Sequence, residues 1–140
     1  MQHTMEVGYQ PAHAYSLSQS KCTFTKGEIG GVKEKDGTAT QFDELTGNSS
    51  KFHGFFVETL ANGDAIHYTY EGTATLKNGQ VVQASDTWTM VKGTGKAAGI
   101  KGSGNWKGKG AADGSAEWSC QGSYTLAAAP MKSTPAKKKN

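Results

Sequence analysis

The chain has 140 residues, with 19 glycines, three prolines, two cysteines and a formal net charge of +3. That length fits one domain able to bury a core without metal or crosslinks, and the glycine-rich, Thr/Ser/aromatic composition favours an all-β chain over helices or disorder. No run reaches transmembrane length, and no arginine is present, so the guanidinium fork that reads guanine or grips phosphate is missing, which argues against specific nucleic-acid binding.

In chain order, residues 1–14 read as an irregular N-terminal segment. It has neither the charged start nor the apolar run of a secretory signal, although a mature chain that had lost its signal would read the same way. A first strand is expected over 15–25, with Leu17 out of phase with Cys22 and Phe24, which implies a bulge or a late start. Gly27, Gly30 and Gly31 mark a turn or kink, and Lys35-Asp36-Gly37 carries an Asp-Gly hairpin signal. A strand follows over 38–45, then a loop at Gly47-Asn48-Ser49-Ser50 that contains an Asn-x-Ser sequon. Strands over 52–60, 65–76 and 80–92 are separated by Asn62-Gly63-Asp64 and Asn78-Gly79. Asn-Gly between alternating segments is among the strongest short-range hairpin signals, so this half reads as an antiparallel meander. Lys96-Ala97-Ala98 is expected to form one helical turn.

Between Gly93 and Gly122 fall nine glycines. Ile100, Gly102, Gly104, Trp106 and Gly108 share one face of a period-two segment, opposite Lys101, Ser103, Asn105 and Lys107. Ala116, Trp118, Cys120, Gly122, Tyr124 and Leu126 then share a face opposite Ser115, Glu117, Ser119, Gln121, Ser123 and Thr125. Glycine weakens a strand unless the backbone must bend or another group must come close, so glycines repeated on one face predict a tightly coiled sheet with little room inside. A small barrel domain over 15–126 meets that condition. The tail over 127–140 offers no apolar face and is expected to be disordered. It holds four of the fifteen lysines, and without them eleven lysines face twelve carboxylates, about −1.

Few motifs carry chemistry. Gly93-Thr94-Gly95-Lys96-Ala97-Ala98 fails the phosphate-loop pattern, which needs Gly where Met90 stands and Ser or Thr where Ala97 stands. His3 and His13 fall in the N-terminal segment, while His53 and His67 lie on the polar faces of adjacent strands. No third ligand joins them, so neither a metal site nor a cofactor is expected. Cys22 and Cys120 lie 98 residues apart, each on an apolar face. They are either bonded where the first and last strands of a barrel meet, or two small buried thiols.

The informative residues are two acids on faces that otherwise read apolar. Glu58 shares a side with Phe52, Gly54, Phe56 and Leu60, and Asp86 shares one with Val82, Ala84, Trp88 and Met90. A buried carboxyl is costly unless hydrogen-bonded or protonated, and it is common where protons move or a polar ligand group is held. Glu58 and Asp86 are therefore the candidate catalytic residues. Phe56, Tyr68, Tyr70, Trp88, Trp106, Trp118 and Tyr124 are the candidate ligand-binding lining. The bland alternative is that a bulge turns either acid outward or that the acids cap tyrosines.

The run Trp88-Thr89-Met90-Val91 leading to Gly93-Thr94-Gly95-Lys96-Ala97-Ala98-Gly99-Ile100-Lys101-Gly102-Ser103-Gly104, with the closing Glu117-Trp118 and Gly122-Ser123-Tyr124-Thr125-Leu126, is similar to small exported bacterial barrels. These in turn resemble the allene oxide cyclase and dirigent group of calycin-like barrels. The resemblance spans about 53–126 and implies an eight-stranded antiparallel up-and-down barrel. It also implies a secreted or periplasmic chain with Cys22 bonded to Cys120, and an interior carboxyl that with ordered water assists ring closure. The expected function is binding of a small apolar ligand. The alternatives are a cyclase or isomerase using an interior carboxylate, and a structural barrel filled by its own side chains.

Overall fold

Asn78 and Gly79 both take left-handed backbone, φ 54° and 78°, and so turn the chain with the hand that twisted strands favour. They join β6 (Ala65–Lys77) to β7 (Gln80–Gly93). Before them, β5 (Ser49–Leu60) reaches β6 through Asn62-Gly63-Asp64. There the Asn62 amide donates to Asp64 Oδ2 at 2.9 Å and its carbonyl accepts from the Asp64 backbone at 3.0 Å. The remaining long strands are β2 (His13–Thr23), β4 (Val32–Thr46), β8 (Lys101–Gly110) and β9 (Ala116–Thr125), with short β1 (Gln2–Glu6), β3 (Glu28–Ile29) and β10 (Lys138–Lys139). This computed structural model describes residues 1–8, 12–111, 113 and 115–127, together with the backbone of 138–139. No helix among them is long and apolar enough to cross a membrane.

All these strands form one antiparallel sheet in the order β1-β2-β4-β5-β6-β7-β8-β9-β10, with β3 paired to β4. The all-β reading holds, but the expected closed eight-stranded barrel does not form, because the ladder stays open. Its two seam strands already have other neighbours: β1 lies along β2, and β10 along the end of β9. The sheet nevertheless curls, since the β3–β4 turn reaches β9 and the Gly30 backbone donates to the Tyr124 hydroxyl at 3.1 Å.

Other expectations need correcting. Residues 2–6 of the supposedly irregular N-terminal segment are an edge strand, in register from Gln2 opposite Ser18 to Glu6 opposite Ala14. Lys35-Asp36-Gly37 makes no hairpin: it lies within β4, where the register with β5 shifts between Glu34 and Asp36. The reversal comes earlier, at Gly30 and Gly31, φ 60° and 84°. Leu17 needs no bulge, for the β2–β4 register is unbroken and Leu17 faces outward opposite Phe42. Of the tail expected to be disordered, 128–137 and 140 lie outside the described residues, and the backbone of Lys138–Lys139 pairs with Thr125 and Tyr124.

Why glycines populate the concave face is visible in its packing. A methyl on Gly37 would lie 2.1 Å from the Phe56 ring, and one on Gly122 would lie 2.3 Å from the Trp88 indole. A large ring from one strand thus lies on the bare backbone of the next, which lets the sheet coil tightly and fills the space the glycine leaves. Ile29, Leu60, Ile66, Tyr68, Met90, Ala97 and Ile100 form the larger buried cluster, and Phe52, Ala74 and Ala84 the smaller. Ala97 and Ile100 come from the β7–β8 connection, whose single 3₁₀ turn (Gly95–Ala97) folds over one end. Asp64 Oδ2 anchors it by accepting from the Lys96 backbone at 3.0 Å.

Candidate functional site

Period two alone puts Glu58 on the concave face, between Gly37 of β4 and Ile66 of β6. The residue is 1 % exposed. Oε1 accepts from the Tyr68 hydroxyl at 2.5 Å, and the Glu34 carboxyl lies close enough to share a proton with Glu58. Burial pushes the carboxyl up to about 8; the Tyr68 hydrogen bond opposes the rise, and the nearby Glu34 carboxyl adds to it. At neutral pH Glu58 is then chiefly a neutral acid. Because Oε1 accepts from Tyr68, that proton is shared with the Glu34 carboxyl. The Tyr68 phenol is itself pushed far upward, first by burial and then by Glu58.

Asp86 lies on the same face, opposite Gly72 and Trp106. Its Oδ1 is buried without a partner, and burial raises its carboxyl to about 6. Trp88, two residues on, meets the Tyr68 ring edge-on at 5.5 Å, and its buried Nε1 meets the Cys120 thiol. The two acids sit at different levels of the same face: Glu58 is opposite Ile66, whereas Asp86 is opposite Gly72, which pairs with Phe52 six residues along β5 from Glu58.

The expected lining assembles only in part. Phe56 and Tyr68 pack at 5.7 Å, and with Trp88 and Tyr124 they border the larger cluster. Tyr70 borders the smaller one, but its hydroxyl donates to Gln41 Oε1 at 3.0 Å rather than to Asp86. Trp106 and Trp118 stack on each other at 4.5 Å, and Trp118 remains 53 % exposed.

Sequence reasoning missed a polar half of the concave face. Gln41 donates to both Asp43 oxygens at 3.0 Å, Ser50 donates to Asp43 Oδ1 at 3.0 Å, and the buried Ser16 hydroxyl accepts from Gln2 and Thr4 at 3.2 and 3.3 Å. Gln41 and Asp43 alternate with Phe42, so the signal was present. Placing a hairpin at Lys35-Asp36-Gly37 hid the phase of that strand. Glu34 was missed for the same reason.

The cysteines are corrected too. Cys22 and Cys120 are free and exposed, not bonded. Cys22 faces Gly37 across β2–β4 and Cys120 faces Trp106 across β8–β9, so each sits on a different strand pair of an open sheet. Burial raises both thiols: for Cys22 the Glu58 carboxylate adds to it, and for Cys120 the Trp88 indole opposes it. His53 and His67 do not approach as a pair, since His53 lies opposite Glu71 and His67 opposite Val57. His13 opens β2, with Nε2 2.9 Å from Glu44 Oε2. Among the described residues no cluster of His, Cys, Asp and Glu could hold a metal ion.

In comparisons with known proteins, no protein-family model, curated protein or solved structure matches this chain.

Proposed function

We propose that the chain binds a small, largely apolar molecule on the concave face of its sheet. A polar atom of the ligand would pair with the Glu58 carboxyl, in competition with Glu34. The observation that carries this reading is that Glu58, 1 % exposed, sits among Phe56, Met90 and Tyr68 with only Tyr68 and another carboxyl to engage it. A protonated carboxyl is a donor, so it suits a carbonyl or ether oxygen, while Phe56, Met90 and Tyr68 offer the apolar contact.

Tryptophan fluorescence during titration with N-phenyl-1-naphthylamine tests the reading. Saturable binding that weakens in Trp88→Phe supports it; no saturable change in wild type overturns it. One observation favours a second reading, an isomerase or cyclase of the kind the sequence resembles: an interior carboxyl held near 8 is able to give and take a proton at neutral pH. Turnover of an unsaturated epoxide or ketone that disappears in Glu58→Gln, while probe binding persists, would select it.

A further inference from the structure

A groove of about 680 Å³ runs over β7, β8 and β9; Met90, Ile100 and Tyr124 of the larger buried cluster form part of its lining, and the rest of the lining has not entered the site described above. Its origin is a bulge. Tyr68 pairs with Met90 and His67 with Lys92, which leaves Val91 as the extra residue of β7. A bulge bends its strand and re-aims the side chains beside it. Here Val91 and Lys92 are both exposed, whereas strict alternation would have turned one of them inward. Gly93, Gly99 and Gly102 are among its lining residues, so backbone forms part of its floor.

The walls are chemically one-sided. Thr89, Ser103 and Ser123 are in register across three strands, and the next pair, Lys101 opposite Thr125, adds a cation and another hydroxyl. Lys92 supplies a second cation on the β7 side. No lining residue is acidic, and among the described residues neither lysine has an ion-pair partner. The one aromatic in the lining, Tyr124, commits its hydroxyl to Gly30.

From this we infer that the groove is a binding site for a sugar bearing a tetrahedral oxyanion ester, sulfate or phosphate. Lys92 and Lys101 would hold the charged group, and the Thr89–Ser103–Ser123 hydroxyl row would hold the sugar hydroxyls. The volume falls within the usual range for small-ligand sites. Nucleic acid fits less well, because the groove has no free aromatic face on which a base could stack and no arginine. The groove's lysines and hydroxyl row are not among the residues proposed above to hold the apolar ligand.

The experiment is an amide chemical-shift titration of the full chain with four probes: a sulfated disaccharide, its unsulfated parent, glucose 6-phosphate and sodium sulfate. Saturable shifts at Gly99, Gly102, Ser103 and Ser123 are expected for at least one ester sugar, and whichever binds tighter identifies the ester. The double variant Lys92→Gln/Lys101→Gln, at two exposed positions, should keep the native spectrum and lose about tenfold in affinity, the scale of charge-assisted hydrogen bonds. Equal affinity for the unsulfated parent or for sodium sulfate alone would overturn the inference. So would shifts concentrated on Lys107, Lys109 or the lysines of 132–139, or unchanged binding by the double variant.

Discussion

The Tyr68 hydroxyl lies 2.5 Å from Glu58 Oε1, across the β5–β6 pair, where Tyr68 is in register with Phe56, two residues from Glu58. The two are the most consequential contact on the concave face, because each group is buried and each shifts the other's titration. The phenol bond favours the carboxylate, and the carboxylate disfavours the phenolate.

Tyr68→Phe should therefore destabilise the protein by about 1 to 3 kcal/mol, since it leaves the buried Glu58 Oε1 without its donor. Urea unfolding at pH 7 measures the loss. The same variant should move the Glu58 titration upward, because the one group that lowers it is removed. A downward move by carboxyl NMR would show that the phenol does not act on Glu58.

Glu58→Gln tests the pH dependence. Burial pushes the folded carboxyl up to about 8 from its ordinary 4.5, so the folded state holds its proton over a range where the unfolded chain has lost it. Protonation thus favours folding fully below about 4.5, and that contribution falls away as pH rises towards 8. Wild-type melting temperature should decline across that window, and the Gln variant, which cannot ionise, should decline less and be the more stable of the two at pH 8. Parallel curves for both proteins would mean that Glu58 titrates as if in solvent.

How much of this was legible depended on the range over which each feature is decided. Asn62-Gly63 and Asn78-Gly79 are local turn chemistry, and both form the hairpins their sequences specify. The interior placement of Glu58 was legible because β5 and β6 alternate without interruption between those turns. The Gln41–Asp43–Ser50 network was not, since the bulge between Glu34 and Asp36 occupies an Asp-Gly step that locally resembles a hairpin. Openness was the least legible feature. It depends on whether β2 and β9 pair, and nothing local to Cys22 or Cys120 says that β1 and β10 take those edges instead.

Both thiols should accordingly be alkylated in native protein without reductant, giving two added groups by mass. The reaction should be slow at pH 7 and speed up with pH, because burial raises both thiols and the thiolate is the reactive form. An intact mass with no added groups until reductant is supplied would show that the two are bonded after all.

The seating of rings on glycines makes the most demanding prediction, because it concerns a pair rather than a residue. At Gly37 every close neighbour of an added methyl is an atom of the Phe56 ring, the nearest at 2.1 Å. Gly37→Ala must push that ring off its seat, a form of overpacking that costs about 1 to 3 kcal/mol. Phe56→Leu alone loses contacts with Tyr68 and Phe24, ring neighbours at 5.7 and 6.3 Å, and should also destabilise. Combined, the two should cost less than their sum by about 1 kcal/mol or more, since Leu lacks the ring edge that meets the new methyl, and residues in contact couple on that scale. Urea unfolding of the four proteins gives the coupling directly. Strict additivity would mean that Gly37 is needed for its backbone alone, and that the close approach of Phe56 is not what selects glycine there.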